Sequence, residues 1–407
     1  MAALPISSNG PGMVRLLCTR ALRSLGDASI TLPNGRSMDV PAENITFSMP
    51  AEWAPHQGCW IAWPRRHDVW RAAAVPAKKA FTDVILAINR FEPVTVVAPN
   101  DLWLEARAAL PDSIRVLEMT IDDSWLRDSG PTFVEAKITS CPKPAIRTLL
   151  GMDWVFNGWG GLYGSYEQDK LVAAKVCEAE GLPYVSTDFV LEGGSIHVDG
   201  EGTLLTTEEC LLNPNRNPGL SKAEIEARLK RFTGVSKVIW LPKGLYKDDD
   251  TNGHIDNFAC FARPGVVLLA WCDDPSDPQH AISSEALQLL EQETDAKGRK
   301  LQVIKLPCPP PLQRTEEEWN TLSLEGRENR HAGERLAASY ANFYIANGAI
   351  IMPAFGLPEA DAKAQAVLQQ AFPDREVVAV QTREIVLGGG NIHCITQQQP
   401  MPVQSTA

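Results

Sequence analysis

Several features that would assign a chain of this length to a common class are missing from the sequence. No apolar run approaches the roughly 18–20 residues that a membrane-spanning helix needs. The nine cysteines include no C-x-x-C pair, so neither a disulfide framework nor a zinc ribbon is indicated. The net charge of −12 is the opposite of the basic excess of a nucleic-acid-binding protein. We therefore expect free thiols in a reducing compartment such as the cytoplasm, with neither a membrane nor a nucleic acid as partner.

The N-terminal segment lacks acidic residues. Residues 1–26 contain Arg15, Arg20 and Arg23 but neither Asp nor Glu, and MVRLLCTRALRSLG fits a short basic amphipathic helix. A transit peptide to a plastid or mitochondrion has this composition, and so does an extension without function. Folded sequence is predicted to begin at Met49.

What the sequence does contain is one plan repeated along the chain: two β-rich runs, a helix and a third β-rich run. Ser221 and Glu224 have the spacing of a capping box at the start of one helix. Asn347 and Gly348 separate two β-rich runs, which is a strong hairpin signal. The clearest copies begin at residues 195, 253 and 336, and weaker copies span 58–99 and 125–187. The predicted helices cover residues 76–90, 168–180, 221–231, 283–293 and 360–371.

Five ββαβ modules, followed by a final strand over residues 383–396, indicate one closed ring. Repeated supersecondary units of this length are typical of radial or solenoid architectures, and closure of a ring removes open sheet edges. The predicted fold class is therefore α/β, as a five-bladed α/β propeller with pseudo-fivefold symmetry. Equivalent segments of different modules meet at the axis of such a ring, so they would line one central cavity.

A phrase that occurs twice brings reactive groups to that cavity. Residues 191–200 read LEGGSIHVDG and residues 387–396 read LGGGNIHCIT, with Glu192 in the first copy and Cys394 in the second. A cysteine, histidines and several carboxylates among glycines form a nucleophile with negatively charged neighbours. The polar residues in equivalent segments are Asp122, Asp123, Arg127, Asp128, Glu192, His197, His254, Asp256, Asn391, His393 and Cys394.

The electrostatics of this group narrow the ligand to a cation. Neighbouring carboxylates raise the pKa of a thiol, so the arrangement is favourable when a cation lies among them. A guanidinium is planar and permanently charged, and it forms paired hydrogen bonds to carboxylates. Carboxylates at its two edges would fix its plane and leave its central carbon facing the sulfur. The acidic chain suits such a small cationic ligand, although acidity also serves solubility alone.

Long motifs resemble those of a known family. The segments MPAEWAPHQGCWIAWP, DDSWLRDSGPTF, GWGG, VLEGGSIHVDGEG, DTNGHIDNFACFARPG, RLAASYANFYIANG and GGGNIHCITQQQP together resemble the plant and bacterial agmatine deiminases. The resemblance implies a five-bladed α/β propeller of the guanidine-modifying superfamily, as one catalytic domain over 49–400. Residues 1–48 would be a disordered or targeting extension and residues 401–407 a tail. The implied reaction converts agmatine and water to N-carbamoylputrescine and ammonia, in putrescine and polyamine synthesis, without a metal or an organic cofactor.

The resemblance also implies a role for each matching residue. Cys394 would attack the guanidinium carbon and carry a covalent thiouronium intermediate. His254 would protonate the leaving ammonia and then activate water. Asp128 and Asp256 would hold the guanidinium nitrogens, and Glu192 would orient and charge His254.

Three further residues are predicted to bind the substrate. Trp125 would wall its aliphatic chain, Asp250 would be the counter-charge for its distal amine, and Gly389 would let the backbone approach it closely. Trp125 fits a core position equally well, and Asp250 fits a solvated loop. Whether the protein forms a homo-oligomer stays open.

Other interpretations compete with this one. A lone Cys394 after an apolar strand also fits an inert core thiol. His254 and Asp256 on one face of a strand would also suit a metal-dependent hydrolase, although the sequence has no three His or Asp ligands at a known spacing. A ring that binds a partner without catalysis predicts degraded chemistry, whereas all five catalytic positions are present. His197 and His393 are interpreted as structural.

Substrate choice is not decided by the residues themselves. An arginine deiminase would need a cation for the substrate carboxylate. Arg127 is the basic residue inside a site motif, but it accompanies DSGP in the resembling family and does not discriminate. The polar segment 315–334 is predicted to be an insertion that does not touch the chemistry.

Overall fold

The computed structural model describes residues 28–139 and 145–402, and the basic segment 1–26 lies outside them. The strands, in chain order, are β1 (Ala28–Thr31), β2 (Ser37–Val40), β3 (Ile45–Ser48), β4 (His56–Ala62), β5 (Val94–Ala98), β6 (Arg115–Glu118), β7 (Thr132–Ile138), β8 (Ile146–Val155), β9 (Tyr184–Val190), β10 (Ile196–Val198), β11 (Thr203–Thr207), β12 (Lys237–Leu241), β13 (Ala259–Arg263), β14 (Val266–Trp271), β15 (Gln302–Pro307), β16 (Tyr344–Ala346), β17 (Ala349–Ala354), β18 (Glu376–Gln381) and β19 (Thr396–Pro400).

Helices connect and flank these strands. In chain order they are α1 (Val75–Asn89), α2 (Asn100–Ala109), α3 (Leu126–Ser129), α4 (Gly158–Gly161), α5 (Val172–Ala179), α6 (Glu208–Leu211), α7 (Lys222–Thr233), α8 (Pro278–Gln292), α9 (Glu316–Asn320), α10 (Leu324–Asn329), α11 (Pro358–Ala371), α12 (Arg383–Val386) and α13 (Ile392–Ile395). Tighter 3-10 turns occupy Ala42–Asn44, Ala72–Ala74, Asp169–Leu171, Gly193–Ser195 and Ile255–Asn257.

Three sheets follow the predicted ββαβ plan. The sheets β10-β11-β12, β13-β14-β15 and β16-β17-β18 each pair their first two strands antiparallel and their last two parallel. Parallel neighbours need a long crossover connection, which α7, α8 and α11 supply. The predicted local signals are confirmed: Ser221 and Glu224 form a capping box on α7, and Asn347-Gly348 turns β16 into β17.

The other two sheets are larger but contain the same unit. Their strand orders are β2-β1-β9-β8-β7-β3 and β19-β4-β5-β6. In the first, β7 and β8 are antiparallel while β8 and β9 are parallel. In the second, β19 and β4 are antiparallel while β4 and β5 are parallel. The part of the chain that the structure describes is therefore an α/β fold of five mixed sheets, each built on the repeated unit.

Residues 28–48 correct the prediction that folded sequence begins at Met49. β1 and β2 form a hairpin, and β1 pairs with β9 while β3 pairs with β7. Ile30, Ile45 and Phe47 are buried in the core of this sheet. The alternation of apolar and polar residues in ITFS is the strand signal that was overlooked.

The C-terminal segment corrects the prediction of a single strand over residues 383–396. It forms the short helix α12, a run of three glycines (residues 388–390, hereafter the glycine strap), the short helix α13 and then β19. Gly389 has φ +113°, which a strand does not accommodate in other residues. β19 (TQQQP) pairs with β4 and carries buried glutamines, and Gln399 accepts a hydrogen bond from the Trp60 indole at 2.8 Å.

The apolar face of helix α1 joins the sheet that contains β5 to the sheet that contains β17. Its buried residues Phe81, Val84, Ile85 and Ile88 recur at helical spacing and belong to a core cluster that also contains residues of β5 and β17. Together with the β19–β4 pairing, this helix connects the two ends of the described chain. Within that part of the chain, none of the helices has the length and apolar character needed to cross a membrane.

Candidate active site

Cys394 lies in α13, directly after the glycine strap and Asn391. Its Sγ accepts a hydrogen bond from Nδ2 of Asn342 at 3.1 Å and lies 3.5 Å from Oδ2 of Asp256. A Cβ on Gly390 would come within 2.9 Å of the sulfur. The strap therefore has to stay free of side chains for the sulfur to face open space.

His254 and Asp256 lie on a tight turn and not on a strand, which corrects the sequence interpretation. The preceding Gly253 has φ +78°, and the 3-10 turn Ile255–Asn257 follows His254. The backbone N–H of His254 donates to the carboxylate of Asp248 at 3.1 Å, which holds the turn. This turn brings the two side chains to the same site. The sequence pattern had placed them on one face of a strand.

Asp128, His254 and Asp256 converge on one point beside Gly194. A Cβ built on Gly194 would lie 2.7 Å from Nδ1 of His254, 2.8 Å from Oδ2 of Asp256 and 2.9 Å from Oδ1 of Asp128. Asp128 is held by the Gly194 N–H at 2.9 Å and by the Trp159 indole N–H at 2.9 Å. The two carboxylates and the imidazole therefore pack so closely around Gly194 that a side chain at this position would clash with all three.

Glu192 lies on the far side of the His254 ring from Asp128. Its Oε2 is 3.8 Å from Nε2 of His254, and Oδ1 of Asp128 is 3.8 Å from Nδ1. Burial would lower the pKa of His254, but the charge of Asp128 and the nearby Cys210 and Glu192 raise it well above its ordinary value. The imidazole is thus held in its protonated form, as a general acid requires.

The charge of Glu192 is itself secured by an arginine. Burial would raise the pKa of Glu192, but Arg216, whose Nε lies 2.6 Å from Oε1, brings it below its ordinary value. Both side chains are fully buried. Arg216 comes from the stretch NPNRNP, residues 213–218, to which the sequence analysis gave no role.

The sulfur of Cys394 is in the opposite electrostatic situation. Burial raises the pKa of its thiol well above the ordinary value, and the charges of Asp256 and Asp128 raise it further. Asp256 is kept ionised despite burial, because the hydrogen bond and charge of His393 lower its pKa. A cation between the two carboxylates would offset the part of this shift that their charges cause and so favour the thiolate.

Asp128 and Cys394 open onto one pocket of about 290 Å³, whose lining does not include Glu192, His254 or Asp256. Predicted residues Trp125, Asp128, Asp250, Gly389 and Cys394 line it together. Its other lining residues are Trp159, Leu162, Tyr163, Thr251, Gly388 and Gly390. Aromatic rings with carboxylates at separated positions suit a flexible apolar chain that carries a cation at each end.

Two residues of this region were missed by the sequence interpretation. Asn342 binds the sulfur, as described above, from a segment quoted for its resemblance alone. Arg330 donates to Asp250 at 2.5 Å and to the carbonyl of Gly388 at 3.2 Å. Arg330 lies in the polar segment 315–334, which was predicted not to touch the chemistry, and through Arg330 this segment contacts two residues of the pocket lining.

His393, which was interpreted as structural, bridges two carboxylates behind the site. Its Nδ1 lies 2.9 Å from Asp256 and its Nε2 lies 2.8 Å from Glu52. His197 lies 3.5 Å from Glu52 and accepts the Phe261 backbone N–H, in keeping with the structural role predicted for it. Arg127 lies 3.6 Å from Glu52 and is absent from the pocket lining, so it faces this inner network.

One set of donors has the geometry to hold a metal ion. Ligand atoms of Glu192, Cys210 and His254 lie within 4.8 Å of one another and are buried. The guanidinium of Arg216, 2.6 Å from Glu192, already neutralises that carboxylate and would repel a cation. These three donors are therefore poorly suited to bind a metal ion, and the imidazole of His254 is better suited to proton transfer.

Known proteins share this sequence and architecture. A family model described as Porphyromonas-type peptidyl-arginine deiminase matches residues 48–400. The chain is 57% identical over 360 residues to an agmatine deiminase of Medicago truncatula, covering 87% of this chain and 96% of that one. It is 55% identical over 363 residues to an agmatine deiminase of Pseudomonas aeruginosa strain LESB58, covering 88% and 96%. The solved agmatine deiminase of Enterococcus faecalis matches at 44% identity with a TM-score of 0.81, covering 87% of this chain and 96% of that one. The chain therefore belongs to the Porphyromonas-type peptidyl-arginine deiminase family and, within it, to the agmatine deiminases.

Proposed function

We propose that this chain hydrolyses agmatine to N-carbamoylputrescine and ammonia, as a hydrolase of linear amidines that contributes to putrescine and polyamine synthesis. The convergence of Asp128, His254 and Asp256 around Gly194, with Asp256 3.5 Å from the Cys394 sulfur, carries the proposal. The identity to agmatine deiminases over most of the chain supports the choice of substrate.

The first half of the reaction joins the sulfur to the substrate. The guanidinium enters between Asp128 and Asp256, and its charge lets the Cys394 thiol lose its proton to solvent. The thiolate attacks the central carbon, and protonated His254 gives its proton to the departing nitrogen. The C–N bond breaks, ammonia leaves, and a thiouronium remains on Cys394 beside a neutral imidazole.

The second half restores the protein. Neutral His254 takes a proton from a water molecule that attacks the thiouronium carbon. The C–S bond breaks, which returns the Cys394 thiolate and releases a protonated urea that gives its extra proton to solvent. Glu192 stabilises the imidazolium in both halves and keeps its ring in place.

The far end of the pocket binds the rest of agmatine in this proposal. The carboxylate of Asp250 receives the distal ammonium, and Trp125 covers the four-carbon chain. Gly389 has φ +113° and lies beside Asp250, so the backbone approaches the ligand where a side chain would intrude. The two carboxylates of the lining, Asp128 and Asp250, favour a guanidine that carries a second cation at its far end.

The ring arrangement is part of the same proposal. We interpret the five sheets as five blades around an axis, with the site at one end of that axis. Support comes from the pairing of β19 with β4. It comes also from the position of α1 in a core cluster shared by the sheet of β5 and the sheet of β17. Site residues from α3, from the turns after β9 and before β13, and from α13 would then meet as the blades close.

An assay with three guanidine compounds tests the function directly. Purified protein is incubated with agmatine, arginine and a blocked arginine peptide, with and without EDTA, and ammonia and ureido product are measured. We expect product from agmatine alone, in equal amount with EDTA, and at least about 10⁴-fold less in Cys394→Ala. Cys272→Ala, which removes a partly exposed thiol outside the pocket, is the matched control and keeps the wild-type rate.

Each other outcome points to a different answer. Product from arginine or the peptide would retain the mechanism and change the substrate. Activity that survives in Cys394→Ala would contradict the covalent mechanism. Activity lost to EDTA would favour a metal-dependent hydrolase that uses Glu192, Cys210 and His254 as ligands.

A further inference from the structure

Asp250 and Arg330 form a partly buried ion pair at the wall of the pocket. Nη2 of Arg330 lies 2.5 Å from Oδ2 of Asp250, 3.1 Å from the Tyr163 hydroxyl and 3.2 Å from the Gly388 carbonyl. Asp250, Tyr163 and Gly388 line the pocket together with Cys394. Arg330 lies behind them, at a neighbouring cavity of about 350 Å³ that Asp250 also lines. The guanidinium thus meets the pocket through Asp250.

The order of these two charges decides what the far end of the pocket presents. The carboxylate of Asp250 faces the site, and the guanidinium of Arg330 is engaged by three oxygen atoms behind it. An ammonium at the end of a substrate meets an opposite charge there. An α-carboxylate on the same substrate would meet a like charge, which disfavours binding strongly.

A second guanidinium strengthens the positive charge behind Asp250. Arg314 lines the same cavity as Arg330 and is buried. Its Nη2 donates to the Leu387 carbonyl at 2.9 Å, its Nε is 3.9 Å from Glu334, and Nη1 has no hydrogen-bond partner among the described residues. Burial and the charge of Arg330 lower the pKa of Arg314. Asp250, together with Asp248, Asp249 and Glu334 of the same cavity, offsets this positive charge, and of these four only Asp250 also lines the pocket.

We propose that Arg330 is a carboxylate-binding group masked by Asp250, and that this pair determines the choice between agmatine and arginine. The inference rests on the proposed function, because it assigns the selectivity of the same pocket. It gives the polar segment 315–334 a role in specificity. Removal of the Asp250 charge exposes a buried guanidinium, which forms a paired hydrogen bond with a substrate α-carboxylate.

A three-substrate comparison of variants tests this. Agmatine carries an amine, arginine carries an amine and a carboxylate, and butylguanidine carries neither. In Asp250→Asn, we expect kcat/KM for agmatine to fall toward the value for butylguanidine and kcat/KM for arginine to rise. The ratio of kcat/KM for agmatine to kcat/KM for arginine should therefore drop by about 100-fold or more. Adding Arg330→Gln to Asp250→Asn removes the gain with arginine. Arg335→Gln, a neighbouring arginine paired with Asp277, is the matched control and keeps the wild-type ratio.

The outcomes separate this inference from the function on which it rests. An unchanged kcat/KM for arginine in Asp250→Asn, with butylguanidine still hydrolysed, overturns the masking of Arg330. A gain with arginine that survives Arg330→Gln overturns the assignment of the carboxylate to Arg330. If Asp250→Asn no longer turns over butylguanidine, calorimetry measures the binding of arginine and agmatine to the double variant Asp250→Asn/Cys394→Ala. The masking of Arg330 requires that arginine bind this variant more tightly than agmatine. Wild-type protein that hydrolyses none of the three compounds contradicts the proposed function instead.

Discussion

At the scale of single residues, the site holds its nucleophile inactive until a cation arrives. The Cys394 thiol is buried beside Asp256 and Asp128, and both burial and these charges raise its pKa. The nearby imidazolium of His254 is balanced by Asp128 and Glu192 and leaves little positive charge for the sulfur. The reactivity of the sulfur is therefore set by its ligand more than by its own surroundings.

Alkylation of Cys394 should depend on the charge of the reagent. Neutral iodoacetamide should react slowly at pH 7 and faster as the pH rises above 9, because it needs a thiolate that the free site disfavours. Cationic 2-chloroacetamidine should react faster at pH 7 by about tenfold or more, because it takes the place of the guanidinium. Mass spectrometry of the peptide that contains Cys394 measures both rates, and Asp256→Asn should reduce the advantage of the cation. Equal rates for the two reagents at pH 7 would contradict the account.

Sequence motifs predicted those site residues that each lie within one short, recognisable motif. Cys394, His254, Asp128, Asp256 and Glu192 each lie in a glycine-containing motif, and the structure brings all five to one place. Their chemical roles stay predictions until activity is measured. Arg330 and Asn342 could not be predicted in this way, since each acts across the fold on a residue about 50 to 80 positions away. Only packing reveals such partners.

At the scale of elements, the short turn Gly193–Ser195 gives the sharpest steric test. Gly194→Ala places a methyl group where Asp128, His254 and Asp256 converge, so kcat/KM should fall by at least about 100-fold while the fold persists. Gly219→Ala is the matched control, since nothing lies within 4 Å of a Cβ there. Activity assays with circular dichroism of both variants check this. Near-normal activity in Gly194→Ala would mean that the substrate does not occupy this space.

Long elements were predictable, whereas the reactive ones were not. Helices α7, α8 and α11 follow apolar spacing and begin within five residues of the predicted starts at 221, 283 and 360. The segments that carry His254 and Cys394 were predicted as strands and are a 3-10 turn and a short helix. Four-residue turns have too few positions for a period to appear, so glycine and tertiary hydrogen bonds decide their shape.

At the scale of the whole molecule, residues 28–48 should be needed for stability. Phe47 is buried against Phe232 of α7, with ring centroids 6.4 Å apart. Phe47→Ala should lower the free energy of unfolding by about 3–5 kcal/mol, because it leaves a cavity in the core of the six-stranded sheet. Met38→Ala, at a side chain on the same strands that is 38% exposed, should change it by less than about 0.5 kcal/mol. Urea unfolding of both variants measures this, and equal effects would show that these strands add little.

The repeated plan allowed the number and content of the sheets to be predicted from the sequence. The additions to that plan could not be, because β1, β2 and β3 attach to the outer strands of one sheet and have no counterpart in the other copies. A repeat predicts what its copies share. Strands that extend a single copy have to be recognised from their own short pattern, which four residues barely provide.

The pairing of β19 with β4 has a consequence for how the chain is made. A ribosome produces β4 more than 300 residues before β19, so for most of synthesis the outer edge of β4 has no partner. An unpaired edge of this kind readily joins other chains. The same late segment carries Cys394, so closing the sheet and delivering the nucleophile happen in one step. A nascent chain would acquire its solubility and its chemistry together, once β19 has been made.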